Sequence, residues 1–129
     1  VFLRPSSRFY DRARETAEAL RKKTGCIISL CDFSDHDRLR SELSQSRILT
    51  NATSLGMAPS EDACPIPDGL IVSDIIYNPK ETRLLSMARA KGLPAFNGSY
   101  MLLYQGAEAF RLWTGKEMPV ALIKNMFFS

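Results

Sequence analysis

Asn97-Gly98-Ser99-Tyr100-Met101-Leu102-Leu103-Tyr104-Gln105-Gly106-Ala107-Glu108-Ala109-Phe110-Arg111-Leu112-Trp113-Thr114-Gly115-Lys116-Glu117-Met118-Pro119 reads as a helix with both ends marked. Asn97-Gly98 is a turn dipeptide. Ser99 is the expected N-cap, its hydroxyl accepting from an unpaired first-turn amide. Leu103, Gly106, Ala107, Phe110 and Trp113 recur at helical spacing and define one apolar packing face. Gly115 suits a left-handed C-terminal position, and Pro119 forbids simple continuation. Gln105 is out of keeping with a plain packing helix. It is a long amide close to the end where helices meet ligands.

The elements before this helix alternate. Val1-Phe2-Leu3 reads as a short strand, followed by a loop ending at a serine N-cap. Phe9, Ala13, Ala17 and Leu20 space as an amphipathic helix that Gly25 closes. Cys26–Cys31 is too short for a helix and apolar enough for a buried strand. Ser34 with Asp37 has the form of a capping box opening a helix to about Ser44. Arg47–Asn51 is the next strand, and residues 52–67 form a long loop. Gly69–Tyr77 reads as a buried strand. Pro79 and Thr82 begin a helix through Lys91, stopped by Gly92, and Leu93–Phe96 is a short strand. After Pro119, Val120–Ile123 with Met126 and Phe127 predicts a last helix packing on the body.

Strands alternating with helices imply βαβ units, hence an α/β fold with a parallel sheet. Ligands of such sheets bind outside the carboxyl ends of the strands. Asn51, Thr53, Tyr77 and Gly98 all lie just past expected strand ends. Asp74 reads as a buried polar residue organising its strand end, more readily than as a catalytic group.

The totals bound the rest. With 129 residues, 45% hydrophobic and 24% charged, the chain suits one soluble domain with a single core. A net charge of +3 is too small to imply nucleic acid. The arginines of residues 1–23 read as a solvated helix face, or more sharply as a site for an anionic ligand near that helix's start. A nucleic-acid binder would need aromatic interleaving or a known motif, and neither is present. Cys26, Cys31 and Cys64 are odd in number and lack metal spacing, which points to a reducing, cytoplasmic setting. His36 is the one histidine, so a His-rich metal site is excluded and no metal is expected. No apolar run is long enough for a membrane span. The glycines are scattered, with no G-x-G-x-x-G and no Walker pattern.

Three motifs in order then carry a resemblance: Asn51-x-Thr-Ser-x-Gly-Met57; Asp74-x-x-Tyr-Asn-Pro-x-x-Thr-x-Leu-Leu85; and Asn97-Gly-x-x-Met-Leu-Leu-x-Gln-Gly-Ala-x-x-Phe-x-Leu-Trp-Thr-Gly115. From about Phe9 onward the chain resembles the shikimate dehydrogenase family, and it is especially similar to the quinate/shikimate dehydrogenase branch. The resemblance implies a two-domain enzyme whose first domain binds most of the substrate and supplies a catalytic lysine–aspartate pair. The second domain is of Rossmann type. This chain looks like most of that second domain, from its second strand onward. On that resemblance the missing part would include the first strand, the glycine-rich turn and the N-terminal catalytic domain, so no catalytic residue is expected within this chain. A missing strand would leave an exposed sheet edge, a site for association into a homodimer or for disorder.

Carried over by position, the resemblance puts Tyr77 at the substrate carboxylate end and Gln105 on a hydroxyl of shikimate or quinate. Ile75 and Gly98 would border the nicotinamide, with the Gly98 carbonyl toward its amide. Thr53, with Asn51, would line the cofactor groove. The family usually has Asn-Arg-Thr at its second strand's end, or an Arg-Asp pattern where NAD is accepted. Here Leu3-Arg4-Pro5-Ser6-Ser7-Arg8 stands there, with no acid before Asp11. Arg4 with Ser6, Ser7 or Arg8 then favours the 2′-phosphate of NADP over NAD. The expected function is NADP-linked reduction of 3-dehydroshikimate to shikimate. The alternatives are an NAD-using quinate/shikimate dehydrogenase and a non-catalytic nucleotide-binding remnant.

Overall fold

A computed structural model describes residues 1–53 and 66–128. The motif residues Ser54–Met57, Cys64 and most of the long loop predicted over 52–67 therefore lie outside the described residues. The chain divides into two compact units, Val1–Gln45 and Ser46–Ser129.

The first unit holds β1 (Phe2–Leu3), α1 (Tyr10–Thr24), β2 (Cys31–Asp32) and α2 (His36–Ser44). β1 and β2 pair in parallel, Phe2 beside Cys31 and Leu3 beside Asp32. Ala17, Cys31, Leu39 and Leu43 are its buried apolar residues. α1 ends, as its sequence predicts, at a left-handed Gly25 whose amide bonds the Arg21 carbonyl at 2.9 Å. Its arginines are largely solvated; Arg14 pairs with Asp11 at 3.6 Å on an exposed face.

Three local expectations in this unit are corrected. No serine caps α1. The N-cap is Phe9, and the Ser7 hydroxyl accepts from the Phe9 amide at 3.3 Å. Two successive turns, Ser7 N to Arg4 O and Tyr10 N to Ser7 O, carry the chain past the serine before the helix begins. Cys26–Leu30 is not a buried strand, and Ile27 is 96% exposed. Strand pairing starts where β1 supplies a partner. Cys31 N bonds Val1 O at 2.9 Å, and the Val1 ammonium bonds Ser29 O at 2.7 Å. Earlier, the Ile28 carbonyl is taken by the Arg21 guanidinium, its Nε at 2.6 Å. Finally, Asp35 rather than Ser34 caps α2, accepting from Arg38 N at 3.0 Å. Ser34 is engaged elsewhere, donating its hydroxyl and amide to Asp32 Oδ1 at 2.7 and 2.8 Å. Those bonds, the hydroxyl's first, hold the Asp32 carboxyl below the usual aspartate range.

The second unit holds β3 (Ile48–Asn51), β4 (Ile71–Asp74), α3 (Arg83–Ala90), β5 (Ala95–Phe96), α4 (Ser99–Thr114) and α5 (Val120–Phe127). Its sheet is parallel in the order β3-β4-β5, with Asn51 beside Asp74 and Ser73 beside Phe96. Leu70, Val72, Leu85 and Ala88 are fully buried, and Ile66, Ile76 and Leu103 nearly so. Every strand pair among the described residues is parallel, as the alternation of strands and helices requires.

β4 is shorter than the predicted Gly69–Tyr77. The Asp74 side chain captures the Ile76 amide at 3.0 Å, which turns the chain out of the ladder. Ser99 is the first helical residue of α4 rather than its cap. Gly98 occupies the cap position, and the Asn97 side-chain oxygen accepts from Ser99 N at 3.1 Å. The packing face of α4 holds only along its first half. Leu103 is buried and Ala107 and Phe110 are half-buried, but Gly106 is exposed and Trp113 is 84% exposed. α5 packs on α4 but buries no residue fully, and Lys124 Nζ lies 4.8 Å from the Tyr100 ring centre.

Candidate functional site

In the second unit the candidate residues gather past the carboxyl ends of β3 and β4. Asp74 is the hub. It is 1% exposed, and its carboxyl accepts three hydrogen bonds: from Asn51 Nδ2 at 3.1 Å, Ile76 N at 3.0 Å and Thr82 Oγ1 at 2.8 Å. Asn51 uses its side-chain oxygen to accept from Thr53 N at 3.1 Å and Thr53 Oγ1 at 2.7 Å. Its carbonyl accepts from Ile75 N at 3.1 Å. Two cofactor candidates, Asn51 and Thr53, are thus fixed to each other and to the end of β4. The reading of Asp74 as a buried organiser of its strand end holds.

Ile75 and Gly98 meet directly. A Cβ built on Gly98 would run into the Ile75 carbonyl oxygen and lie 2.5 Å from its carbonyl carbon. Gly98 has φ −75°, so close approach, not backbone conformation, demands glycine here. The Gly98 amide also bonds Ile76 O at 3.0 Å. Its carbonyl accepts from Leu102 N at 3.0 Å and keeps a second lone pair. Tyr77 follows this junction and is 49% exposed.

Gln105 is exposed on α4. Seven residues turn an α-helix to within about 20° of its starting direction and advance about 10 Å. Gln105 therefore stands on the same helical line as Gly98, opposite buried Leu103. Tyr77 and Gln105 are both tied to Gly98, one through the Ile76 backbone and one through the helix.

Beside Tyr77 lies a cleft of about 590 Å³, lined among others by Lys80, Asn97, Ser99, Tyr100 and Phe127. Glu81 and Arg89 pair at its edge at 2.7 Å. By its sequence Asn97 reads only as a turn residue. Its amide donates to Lys80 O at 2.9 Å and its oxygen accepts from Ser99 N, so it ties the stretch after Tyr77 to the start of α4. The signal was present in Asn-Gly-Ser, but the partner carbonyl is seventeen residues away. In the first unit, Arg4 and Ser6 are exposed in the turn after β1, where Arg4 O accepts from Ser7 N at 2.9 Å. Neighbouring Arg8 stacks 4.6 Å above the Phe9 ring centre. No helix among the described residues is long and apolar enough to cross a membrane.

Similarity to known proteins gives this geometry a context. The profile described as the shikimate 5'-dehydrogenase C-terminal domain matches residues 98–125. A shikimate dehydrogenase (NADP(+)) of Listeria monocytogenes is 46% identical over 126 residues, covering 93% of this chain and 43% of the relative. The solved shikimate 5-dehydrogenase of Listeria monocytogenes, in complex with shikimate and NAD, superposes with a TM-score of 0.88 at 44% identity. That match covers 98% of this chain and 46% of the other. Quinate dehydrogenase from Corynebacterium glutamicum, in complex with NAD, matches with a TM-score of 0.76 at 28% identity, over 92% and 43% of the two chains. The chain thus spans less than half the length of the relatives it matches. Its parallel sheets with flanking helices are the Rossmann-like arrangement of those neighbours. The junction at Gly98 falls at the start of the matched profile, and the identity runs across both units. The chain belongs to the shikimate dehydrogenase family, as a segment of its C-terminal half.

Proposed function

We propose that the chain is the nucleotide-binding part of an NADP-linked shikimate dehydrogenase, reversibly reducing 3-dehydroshikimate to shikimate at a ring hydroxyl. The observation that carries this reading is the Ile75–Gly98 junction, with Tyr77 following it and Gln105 two turns along α4. The relatives' names support the reaction and the cofactor class.

Each residue has a part. Ile75 and Gly98 border the nicotinamide, and the free lone pair of the Gly98 carbonyl suits a carboxamide N–H. Asn51 and Thr53 line the cofactor groove with neutral hydrogen-bonding groups. Arg4 and Ser6, exposed after β1, take the 2′-phosphate, because a guanidinium binds phosphate in a bidentate fork. Tyr77 faces the substrate's carboxylate end, and the Gln105 amide reads a hydroxyl without adding charge. The bound nicotinamide supplies hydride chemistry, and these residues supply orientation. Near-contact positioning of donor and acceptor is worth several kcal/mol of barrier, of the order of 7–11 in well-oriented intramolecular cases.

Proton transfer belongs to a catalytic half that this reading places outside the 129 residues. The exposed Trp113, Leu112, Met126 and Phe127 of α4 and α5 suit a surface that such a domain covers. β1 pairs only with β2, and β3 only with β4, among the described residues. Each edge can take a further parallel strand of the same polypeptide or, failing that, a second copy in a homodimer. Free thiols at Cys26 and Cys31 suit a reducing, cytoplasmic setting.

Steady-state kinetics on the intact gene product carrying this segment test the proposal. The expected result is shikimate oxidation with a lower KM for NADP than for NAD. A lower KM for NAD overturns the roles of Arg4 and Ser6. Preference for quinate moves the enzyme to the branch of the Corynebacterium neighbour, and no turnover with either acid favours a non-catalytic remnant.

A further inference from the structure

We propose that Asp74 is a positioning residue that sets the distance between the cofactor side and the substrate side of the site; this rests on the dehydrogenase reading above. Its carboxyl is buried, and no ion pair to it is present among the described residues. No ion-pair partner among the described residues offsets its burial, so the three hydrogen bonds it accepts carry that role. Removing a donor leaves a buried acceptor short of a partner, which costs more than a typical surface bond.

The three donors come from three places that the reaction would need in fixed relation. Asn51 belongs to the cofactor side, and its other side-chain atom orders Thr53. The Ile76 amide lies between Ile75, which touches Gly98, and Tyr77, which faces the substrate. Thr82 is the N-cap of α3 and accepts from Leu85 N at 3.4 Å while donating to Asp74. The cap therefore pins the carboxyl to a rigid helix, and the carboxyl pins both sides of the site. Backbone bonds reinforce the same frame, Ile75 N to Asn51 O and Gly98 N to Ile76 O. A side chain that only packed would not need to accept from the two flanks of a hydride-transfer site at once.

Two substitutions in the intact protein test this. Asp74→Asn keeps one acceptor oxygen but turns an amide toward Thr82. Thr82→Val keeps shape and removes both the donor to Asp74 and the hydroxyl that caps α3. The expected result for both, at temperatures well below their unfolding midpoints, is a kcat lowered about tenfold or more. The KM values stay within about threefold, and the primary deuterium isotope effect on kcat rises as hydride transfer becomes rate-limiting. A merely structural role moves the midpoint and the folded fraction, not the isotope effect. Parental kcat and isotope effect in folded variants overturn the proposal. Should Asp74→Asn not fold, Thr82→Val decides alone. An inactive parent protein sinks the dehydrogenase reading instead. In that case amide hydrogen exchange still decides: faster exchange at Ile75 and Ile76 in Thr82→Val, with Val72 unchanged, supports the frame, and unchanged exchange at all three overturns it.

Discussion

Gly98 shows how much one missing methyl group decides. Its amide and its Cα lie against the Ile75–Ile76 backbone, so even alanine drives a carbon into a peptide carbonyl. Backbone cannot rotate away as a side chain can, so the strain must be relieved by moving α4 from β4. Gly98→Ala is expected to destabilise the intact protein by about 1–3 kcal/mol, the usual range for overpacking. Chemical denaturation of the purified variant measures it. A midpoint equal to the parent's would show that the junction is slack. The Asn-Gly dipeptide marks a turn in the sequence, but the close approach that requires glycine is invisible until Ile75 is placed beside it.

At the scale of elements, the helices end as their residues dictate and begin where tertiary contacts allow. Gly25 and Gly115 close α1 and α4 in the left-handed conformation, with φ 70° and 68°, as periodicity followed by glycine predicts. Gly115→Ala is expected to cost about 1–2 kcal/mol, the penalty of a Cβ in that region. A Cβ there would meet no neighbour within 4 Å, so the loss is one of backbone conformation alone. Thermal unfolding of the variant beside its parent reads it, and no shift in midpoint would mean that the end of α4 frays. The helix starts were harder to read. Ser7, Ser34 and Ser99 all had the right chemistry for a cap, yet Phe9, Asp35 and Gly98 hold the positions. In each case a nearby turn or a competing oxygen from Asp32 or Asn97 shifted the register by one or two residues.

For the molecule as a whole, the balance of exposed and buried apolar groups matters most. Leu112, Trp113, Leu122, Met126 and Phe127 remain exposed along α4 and α5, while Leu103 is the only residue of these two helices that is buried. An apolar surface of that kind is commonly a contact surface. The 129 residues alone are expected to show no shikimate turnover with NADP or NAD, since the resemblance implies a catalytic lysine–aspartate pair in a domain other than the one this chain resembles. An assay of the isolated segment checks this, and measurable reduction of cofactor would place the proton-transfer groups inside the chain after all.

The order of strands and helices, the parallel sheets and the family itself were determined by local sequence: apolar period, glycine stops and three spaced motifs. These are properties of neighbours in the chain, so they survive without knowledge of the fold. Tertiary structure alone decided which apolar residues are covered, because burial depends on what lies opposite. Ile27 and Trp113 match a core pattern, yet among the described residues no strand pairs beside the one, and the other is left exposed near the end of α4. It alone also decided that Asn51, Asp74 and Thr82 form one hydrogen-bonded frame around Ile75 and Gly98. Hydrogen bonds between residues so far apart in sequence follow from strand register, and register is set only when the sheet assembles.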